Sequence, residues 1–454
     1  MRNTIILVLV AAALGAYVYF YEIKGGEERQ ADKEREEKLI NADKDSIQTL
    51  WIYDFDKVFQ FSKVDDGWKI VSPVETDAEE STVNSFLATL TGAKKSRTFG
   101  VKEKDKSGYG LSRSGIMIKV SNTDGSQDSV ILGDKTSIGS NMYVTKGDTF
   151  VSISPISLKD AAQKSLFSWR DKRTVHFNKD AVREFNLQTA KGSFSFEKDG
   201  SDWKVTKPLQ AKADNNEVTA ILNKLDFGRI KSVESENAAN LQQFHLNAPA
   251  YRIELFSGAE KSKSTVMFSK LIDNQSFGKD EVRPQIFTVD STFLRPFNKS
   301  LFDFRDKNLV EFNKSSINRI NLLNNGELLT FSKDTSDRWQ ISTGEPIKNY
   351  KINDLVSEVE KLKVDEFVAE NPSYTFPYGL TNPKGRLELF AGDSKEIELE
   401  FGNSKNGRTF VRNPRTGQVV AIEDSKLEKV LLTMENVYDE TAKMVKDNDE
   451  EQQK

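Results

Sequence analysis

The chain contains no cysteine, and histidine occurs only at His176 and His245. The first absence removes disulfides, thiolate nucleophiles and zinc–thiolate sites together, without fixing a compartment. Charge of one sign is also lacking: 65 Lys and Arg stand against 69 Asp and Glu, for a net charge of −4. That balance argues against a nucleic-acid protein, which carries a concentrated basic face. Long apolar runs are absent apart from one N-terminal segment. What is present suits a folded chain. Hydrophobic residues make up 37%, with 29 phenylalanines to build cores, so the 30% charged residues read as solvated surface. At about 150 residues per domain, 454 residues correspond to three domains.

No residue from Thr4 to Tyr21 is charged. Eighteen residues at 1.5 Å rise span roughly 27 Å, close to the ~30 Å hydrocarbon core, so residues 4–21 are expected to meet the bilayer as a transmembrane helix. A cleaved signal peptide is the rival reading, because Ala11, Ala12, Ala13, Gly15 and Ala16 are small enough for signal peptidase. The continuation through Tyr17, Val18, Tyr19, Phe20 and Tyr21 favours an uncleaved anchor with interfacial aromatic rings. Arg2 faces Lys24, Arg29, Lys33, Arg35 and Lys38 on the other flank, and that count opposes an N-in orientation. Gly25 and Gly26 are expected to break the helix, and Glu27 to Lys38 to form a charged stalk with Glu34 and Lys38 at helical i, i+4 spacing.

Self-comparison exposes a period of 135 residues. Ile47, Val182 and Ile317 recur at that interval, as do Phe61, Phe196 and Phe331, and Lys63, Lys198 and Lys333. Trp68, Trp203 and Trp339 each enter a short alternating strand, and Tyr109-Gly110-Leu111, Phe244-His245-Leu246 and Tyr378-Gly379-Leu380 mark one later point in each copy. Between copies, Ser165-Leu166-Phe167-Ser168-Trp169-Arg170-Asp171-Lys172 is matched by Ser300-Leu301-Phe302-Asp303-Phe304-Arg305-Asp306-Lys307. This is a recurring joint. The signals divide the chain into an anchor (1–23), a stalk (24–43), modules at 44–172, 173–307 and 308–443, and a polar tail (444–454).

Every module predicts the same elements. Thr49 to Phe55, Val58 to Lys63 and Trp68 to Val71 alternate as antiparallel strands do, with a turn at Asp66-Gly67. A helix follows, its stripe being Val83, Phe86, Leu87 and Leu90, then Val218, Ile221, Leu222 and Leu225, then Ile352, Leu355, Val356 and Val359. The i, i+3, i+4, i+7 spacing gives each helix one apolar face to lay on the sheet. Further strands include Ile116 to Val120, Arg252 to Phe256 and Arg386 to Phe390. The fold class is α+β: three tandem homologous modules, each a mainly antiparallel sheet with a covering helix, after an N-terminal transmembrane helix. No Pro-rich or Ser-rich linker separates the modules, so direct packing between them is expected.

The apolar Ile5 to Phe20 segment, the unit ending Trp68-Lys69-Ile70-Val71-Ser72-Pro73, the helix after it, Tyr109-Gly110-Leu111 and Leu132-Gly133-Asp134 together resemble a family of bacterial membrane-anchored proteins, domain of unknown function 4340. The resemblance covers nearly the whole chain and rests on framework residues. The second copy departs from it, with Phe244-His245-Leu246 and Phe268-Ser269 in place of glycine-bearing forms. It implies a periplasmic body on the bacterial inner membrane and an association with ABC-type transporters of the gliding-motility or exopolymer-related kind. It brings no catalytic residues.

Chemistry-bearing motifs are few. Neither histidine recurs between modules, which excludes a shared triad; His176 reads as a solvent-facing strand residue and His245, standing where the other copies have glycine, as a turn residue. Gly108 to Gly115 lacks the spacing, the lysine and the following helix of a phosphate loop. Asn122 to Asp128 lacks the final glutamate of a calcium loop and reads as a hairpin turn. The three tryptophans could form a sugar platform, but their shared placement before a strand points to core packing. The conspicuous repeated charges are Arg170, Asp171, Lys172, Arg305, Asp306 and Lys307, which serve either the module joint, through ion pairs, or a partner surface. With no catalytic, metal or cofactor residues assigned, the preferred expectation is a non-catalytic scaffold or accessory subunit of a membrane assembly. The alternative is a hydrolase or polymer-modifying envelope enzyme built from scattered carboxylates.

Overall fold

The computed structural model describes residues 11–441 except 20, 22–24, 66, 113, 148 and 238. The anchor therefore lies largely outside the described residues, as does the polar tail; residues 11–17 are helical. Among the described residues no helix is long and apolar enough to cross a membrane. A helix runs Gly25–Glu37, and residues 22–24 before it, where the break was expected, lie outside the described residues. Lys38 is not on that helix: it bridges to Lys94 in β fashion, and Leu39 and Ile40 are buried in the first core, so the expected Glu34–Lys38 helical pair does not form.

Three antiparallel sheets follow. The first comprises β1 (Ile47–Asp54), β2 (Lys57–Val64), β3 (Gly67–Ser72), β4 (Thr76–Asp77), β5 (Arg97–Gly100), β6 (Ile116–Asn122), β7 (Gln127–Lys135), β8 (Asn141–Thr145) and β9 (Phe150–Pro155), in the order β4-β3-β2-β1-β6-β7-β8-β9-β5. The second repeats that order with β10 (Val182–Thr189), β11 (Gly192–Asp199), β12 (Asp202–Lys207), β13 (Ala211–Lys212), β14 (Ser232–Ser235), β15 (Tyr251–Ser257), β16 (Ser262–Phe268), β17 (Gln275–Asp280) and β18 (Ile286–Asp290). The third has β19 (Arg319–Asn324), β20 (Glu327–Lys333), β21 (Trp339–Ile341), β22 (Glu366–Ala369), β23 (Gly385–Ala391), β24 (Ser394–Lys405), β25 (Arg408–Arg412) and β26 (Val419–Glu423), with the short fourth strand missing. In each, the strand after the covering helix pairs at the far edge of the sheet, so the helix carries the chain across the sheet's face.

The sequence dictates these elements locally. Burial alternates along β1 and β2 as a two-residue period requires, placing Leu50, Ile52, Phe59 and Phe61 inside. The tightest hairpins have two-residue loops: Asn325-Gly326 has both residues at positive φ, which the twist of the flanking strands favours. Helices Glu80–Gly92, Asn215–Phe227 and Asn349–Lys361 bury the stripes expected of them, all twelve residues being inside. Trp68, Trp203 and Trp339 are core residues. The backbone amides of Trp203 and Trp339 donate to Asn215 Oδ1 (2.7 Å) and Asn349 Oδ1 (2.6 Å), tying each tryptophan strand to the start of its helix.

The chain forms two compact units, Met1–Lys179, Asn223–Glu254, Lys263–Leu294 and Asp180–Leu222, Leu255–Ser262, Arg295–Lys454. The first unit holds the first sheet with β14, β17 and β18; the second holds β10 to β13 with the third sheet.

His245 is a turn residue, at φ 55° where Gly110 and Gly379 stand at 67° and 69°. The second module departs from the glycine pattern at one further point. A Cβ on Gly133 or Gly402 would sit 2.3 or 2.0 Å from the carbonyl oxygen of Tyr109 or Tyr378, whereas Ser269 takes this place in the second module and is fully buried. The tyrosine loop thus rests directly on glycine in the first and third modules. We expect Gly133→Ser to destabilise the protein by about 1–3 kcal/mol through overpacking, and Ser269→Gly to be tolerated far better. Denaturant unfolding of the two variants checks this.

Candidate functional site at the module joints

Each joint begins with a one-turn helix. Ser165 caps Leu166–Trp169, its Oγ accepting from the Ser168 amide at 3.2 Å, and Ser300 forms a reciprocal capping box with Asp303 on Leu301–Phe304. The helix drives one aromatic side chain into the preceding core. Trp169 is fully buried and lies edge-on to Phe61 and Phe86, at centroid distances of 5.1 and 5.5 Å; Phe304 meets Phe194 and Phe196 at 5.2 Å. The next residue becomes extended and bridges to the preceding module, Arg170 to Ala78 and Arg305 to Ala213. Because an extended chain turns successive side chains to opposite faces, the arginine points away from the core that the aromatic has just filled.

The arginines meet the following module. Arg170, only 1% exposed, donates Nη1 to Glu236 Oε2 (2.9 Å), Nη2 to Glu236 Oε1 (2.6 Å) and Nη1 to Gln285 Oε1 (2.9 Å). Arg305 makes the same fork with Glu370, at 2.5 and 3.0 Å, and Gln418 Nε2 donates to Glu370 Oε2 at 3.0 Å. Its guanidinium also lies 3.5 Å above the Phe367 ring. A planar guanidinium suits this work because its N–H groups match both carboxylate oxygens at once. Burial raises the Glu370 carboxyl, but the hydrogen bonds from Arg305 and Gln418 hold it below the usual carboxylate range.

The other joint charges are local braces. Lys172 Nζ donates to the carbonyls of Ser168 (3.1 Å) and Arg170 (3.3 Å), and Lys307 Nζ to those of Asp303 (2.9 Å) and Arg305 (3.2 Å), closing the short helices at their C-termini. Asp171 is buried and accepts from the Arg173 backbone amide (2.8 Å), the Arg173 side chain (2.6 Å) and His176 Nε2 (2.7 Å). Burial raises the Asp171 carboxyl, and these hydrogen bonds outweigh it, leaving the group well below the usual range. Asp306 accepts from the Asn308 amide at 3.0 Å and faces Lys212 at 3.6 Å. His176 is therefore not a strand residue: it lies in the loop after the joint, held by Asp171.

A third joint escaped the sequence reading. Thr433 and Asn436 form a capping box on helix Met434–Val437, Val437 is fully buried where Trp169 and Phe304 stand, and Tyr438 bridges to Ile347 in the arginine's position. The spacing Thr433-x-x-Asn436 was its signal. The acceptors also escaped, since Glu236 and Glu370 lie 66 and 65 residues beyond their arginines. At the second joint a cleft of about 860 Å³ opens, lined by Lys212, Arg305, Glu370, Lys395 and Arg415 among others, with charges of both signs. Gly108 to Gly115 leads into β6, not a helix, and Asn122 to Asp128 forms the β6–β7 turn, where Asp124 Oδ1 accepts from the Ser126 amide at 2.8 Å. Among the described residues no group of three His, Asp or Glu is placed to hold a metal ion.

Three matches to the family described as Domain of unknown function (DUF4340) cover residues 68–204, 203–383 and 343–452, and the chain belongs to this family. No curated protein matches it. Among solved structures, the DNA polymerase sliding clamp of Caulobacter crescentus aligns at 8% identity over 86% of this chain and 94% of that one, with a TM-score of 0.14.

Two outcomes follow from the joint chemistry. Glu236→Ala strands the buried Arg170 charge, and because Glu236 itself is partly exposed the expected loss is about 2–4 kcal/mol of unfolding free energy; replacing Arg170 by Met as well should recover part of it in a double-mutant cycle. Asp171 stabilises the fold above the ordinary carboxylate pKa of about 3.9 and loses that contribution as pH falls through its depressed folded value. Denaturant midpoints should accordingly stay level from pH 7 to about pH 4 and then fall, with Asp171→Asn lowering the plateau and flattening the acid limb.

Proposed function

We propose that this protein is a non-catalytic, membrane-anchored envelope protein whose modules act as a scaffold or accessory subunit for an ABC-type transporter or related membrane assembly. The observation that carries the reading is the use made of the repeated charges: Arg170 and Arg305 are spent on holding one module to the next, a structural use that leaves no repeated charged set for catalysis. The uncharged Thr4 to Tyr21 stretch supports a single-pass anchor on the bacterial inner membrane, with the body in the periplasm. The mixed-charge cleft at the second joint supports a protein partner, which would meet charges of both signs there.

Tethering raises the effective concentration of a partner in the same membrane, into the millimolar range for short tethers, so weak module contacts become occupied. Replacing residues 1–23 with a cleaved signal should preserve folding but reduce both complementation of a deletion strain and co-purification of membrane partners. A foreign transmembrane helix should restore much of each. Full complementation by the untethered body at native abundance would overturn the reading in favour of a diffusible binder or enzyme.

A further inference from the structure

One place in the fold recurs three times with different chemistry. Just after the covering helix, the amide of Lys95, Ile230 or Val364 donates to the carbonyl of Glu37, Lys172 or Lys307 on the segment that enters the module. A little further on, the far-edge strand pairs with its neighbour, Thr98 with Ser152, Val233 with Phe287, and Phe367 with Val420. In the second and third modules this place is apolar, and Ile230, Phe287, Val364 and Val420 are buried. The first module has Lys95, Thr98 and Ser152 in the same positions, and a pocket of about 120 Å³ opens there.

The lining of this pocket is of one sign. Lys38, Lys95 and Lys146 line it together with the buried Leu39, Val130 and Val144, and among the described residues no carboxylate does. Asp128 holds Lys146 at 2.8 Å, whereas Lys38 and Lys95, both half-buried, have no ion-pair partner among the described residues. Thr98 Oγ1 and Ser152 Oγ share a hydrogen bond of 2.8 Å, which uses one of their two protons and leaves the other to donate. The corresponding place in the third module is charged otherwise, for Arg305 lies over Phe367 there and is met by Glu370. We propose that the pocket of the first module is a binding site for a phosphoryl group, free or in a phosphodiester. Ammonium groups and a hydroxyl that approach from different sides match the several acceptor oxygens of a phosphoryl group better than the two of a carboxylate. The size agrees, since an apolar cavity of about 150 Å³ takes a benzene ring and a phosphoryl group is smaller. The inference does not rest on the scaffold reading.

The test titrates the full-length protein in detergent, at low ionic strength and by isothermal calorimetry, with inorganic phosphate in one arm. The other arm uses glycerophosphoglycerol, the soluble headgroup of phosphatidylglycerol. At least one probe should bind, and the tighter of the two tells a free phosphate from a phosphodiester headgroup. Lys95→Ile supplies the residue of the second module, Ile230, and Lys38→Asn that of the third, Asn308, which bridges to Lys363 as Lys38 does to Lys94. Both variants carry residues that this fold already accepts in these positions, so their unfolding midpoints should stay near that of the unaltered protein while binding weakens by about tenfold or more. Lys57→Ala removes an exposed lysine from another part of the first module and should leave binding unchanged. Failure of both probes to bind overturns the proposal, as does binding retained in both pocket variants or lost equally in Lys57→Ala.

Discussion

A guanidinium at 1% exposure is a costly thing to place inside a protein, because hydration lost on burial is regained only where good geometry meets its N–H groups. At the first joint Arg170 recovers most of it through two oxygens of Glu236 and one of Gln285, none of which belongs to the module that supplies the arginine, while its Nε stays buried without a hydrogen-bond acceptor. The arginine can reach them only because Trp169 is locked between Phe61 and Phe86 one residue earlier, and the alternation of an extended chain then fixes the opposite direction for its neighbour. Core packing in one module and charge pairing with the next are therefore a single mechanical arrangement. The same coupling recurs at the second joint with Phe304 and Arg305, although the aromatic differs and the ring of Phe367 replaces part of the polar surround.

The compact units divide within the second repeat, and each joint lies wholly inside one unit: Arg170, Glu236 and Gln285 in the first, Arg305, Glu370 and Gln418 in the second. The second repeat is also where the framework residues change, with His245 and Ser269 standing where the other modules use glycine.

Much of the architecture was legible in the sequence because it depends on periodicity. Val83, Phe86, Leu87 and Leu90 announce their helix at 3.6-residue spacing, and Phe59 and Phe61 their strand at a spacing of two, without reference to anything distant. The joint arginines were visible because they recur. Their partners were not, since a carboxylate 66 residues away has no local pattern and 69 acidic residues offer many candidates. His176 reads as a strand residue from its apolar neighbours Val175 and Phe177, but it lies in a loop, where its Nε2 meets Asp171. The third joint was hidden by Val437 and Tyr438, which keep the geometry of Trp169 and Arg170 while discarding their chemistry.

The reach of Arg170 across 115 residues to Gln285 has a consequence for synthesis on the ribosome. The first core can close once Trp169 has emerged, while the partners of the arginine it positions have yet to be translated. At about 5–20 residues per second the wait for Gln285 is on the order of ten seconds. Throughout that interval the nascent first module carries its cation in water, and burial of that charge coincides with arrival of the second module's far edge. Module order is thereby written into the order of translation, with each completed joint marking the passage of the segment that follows it.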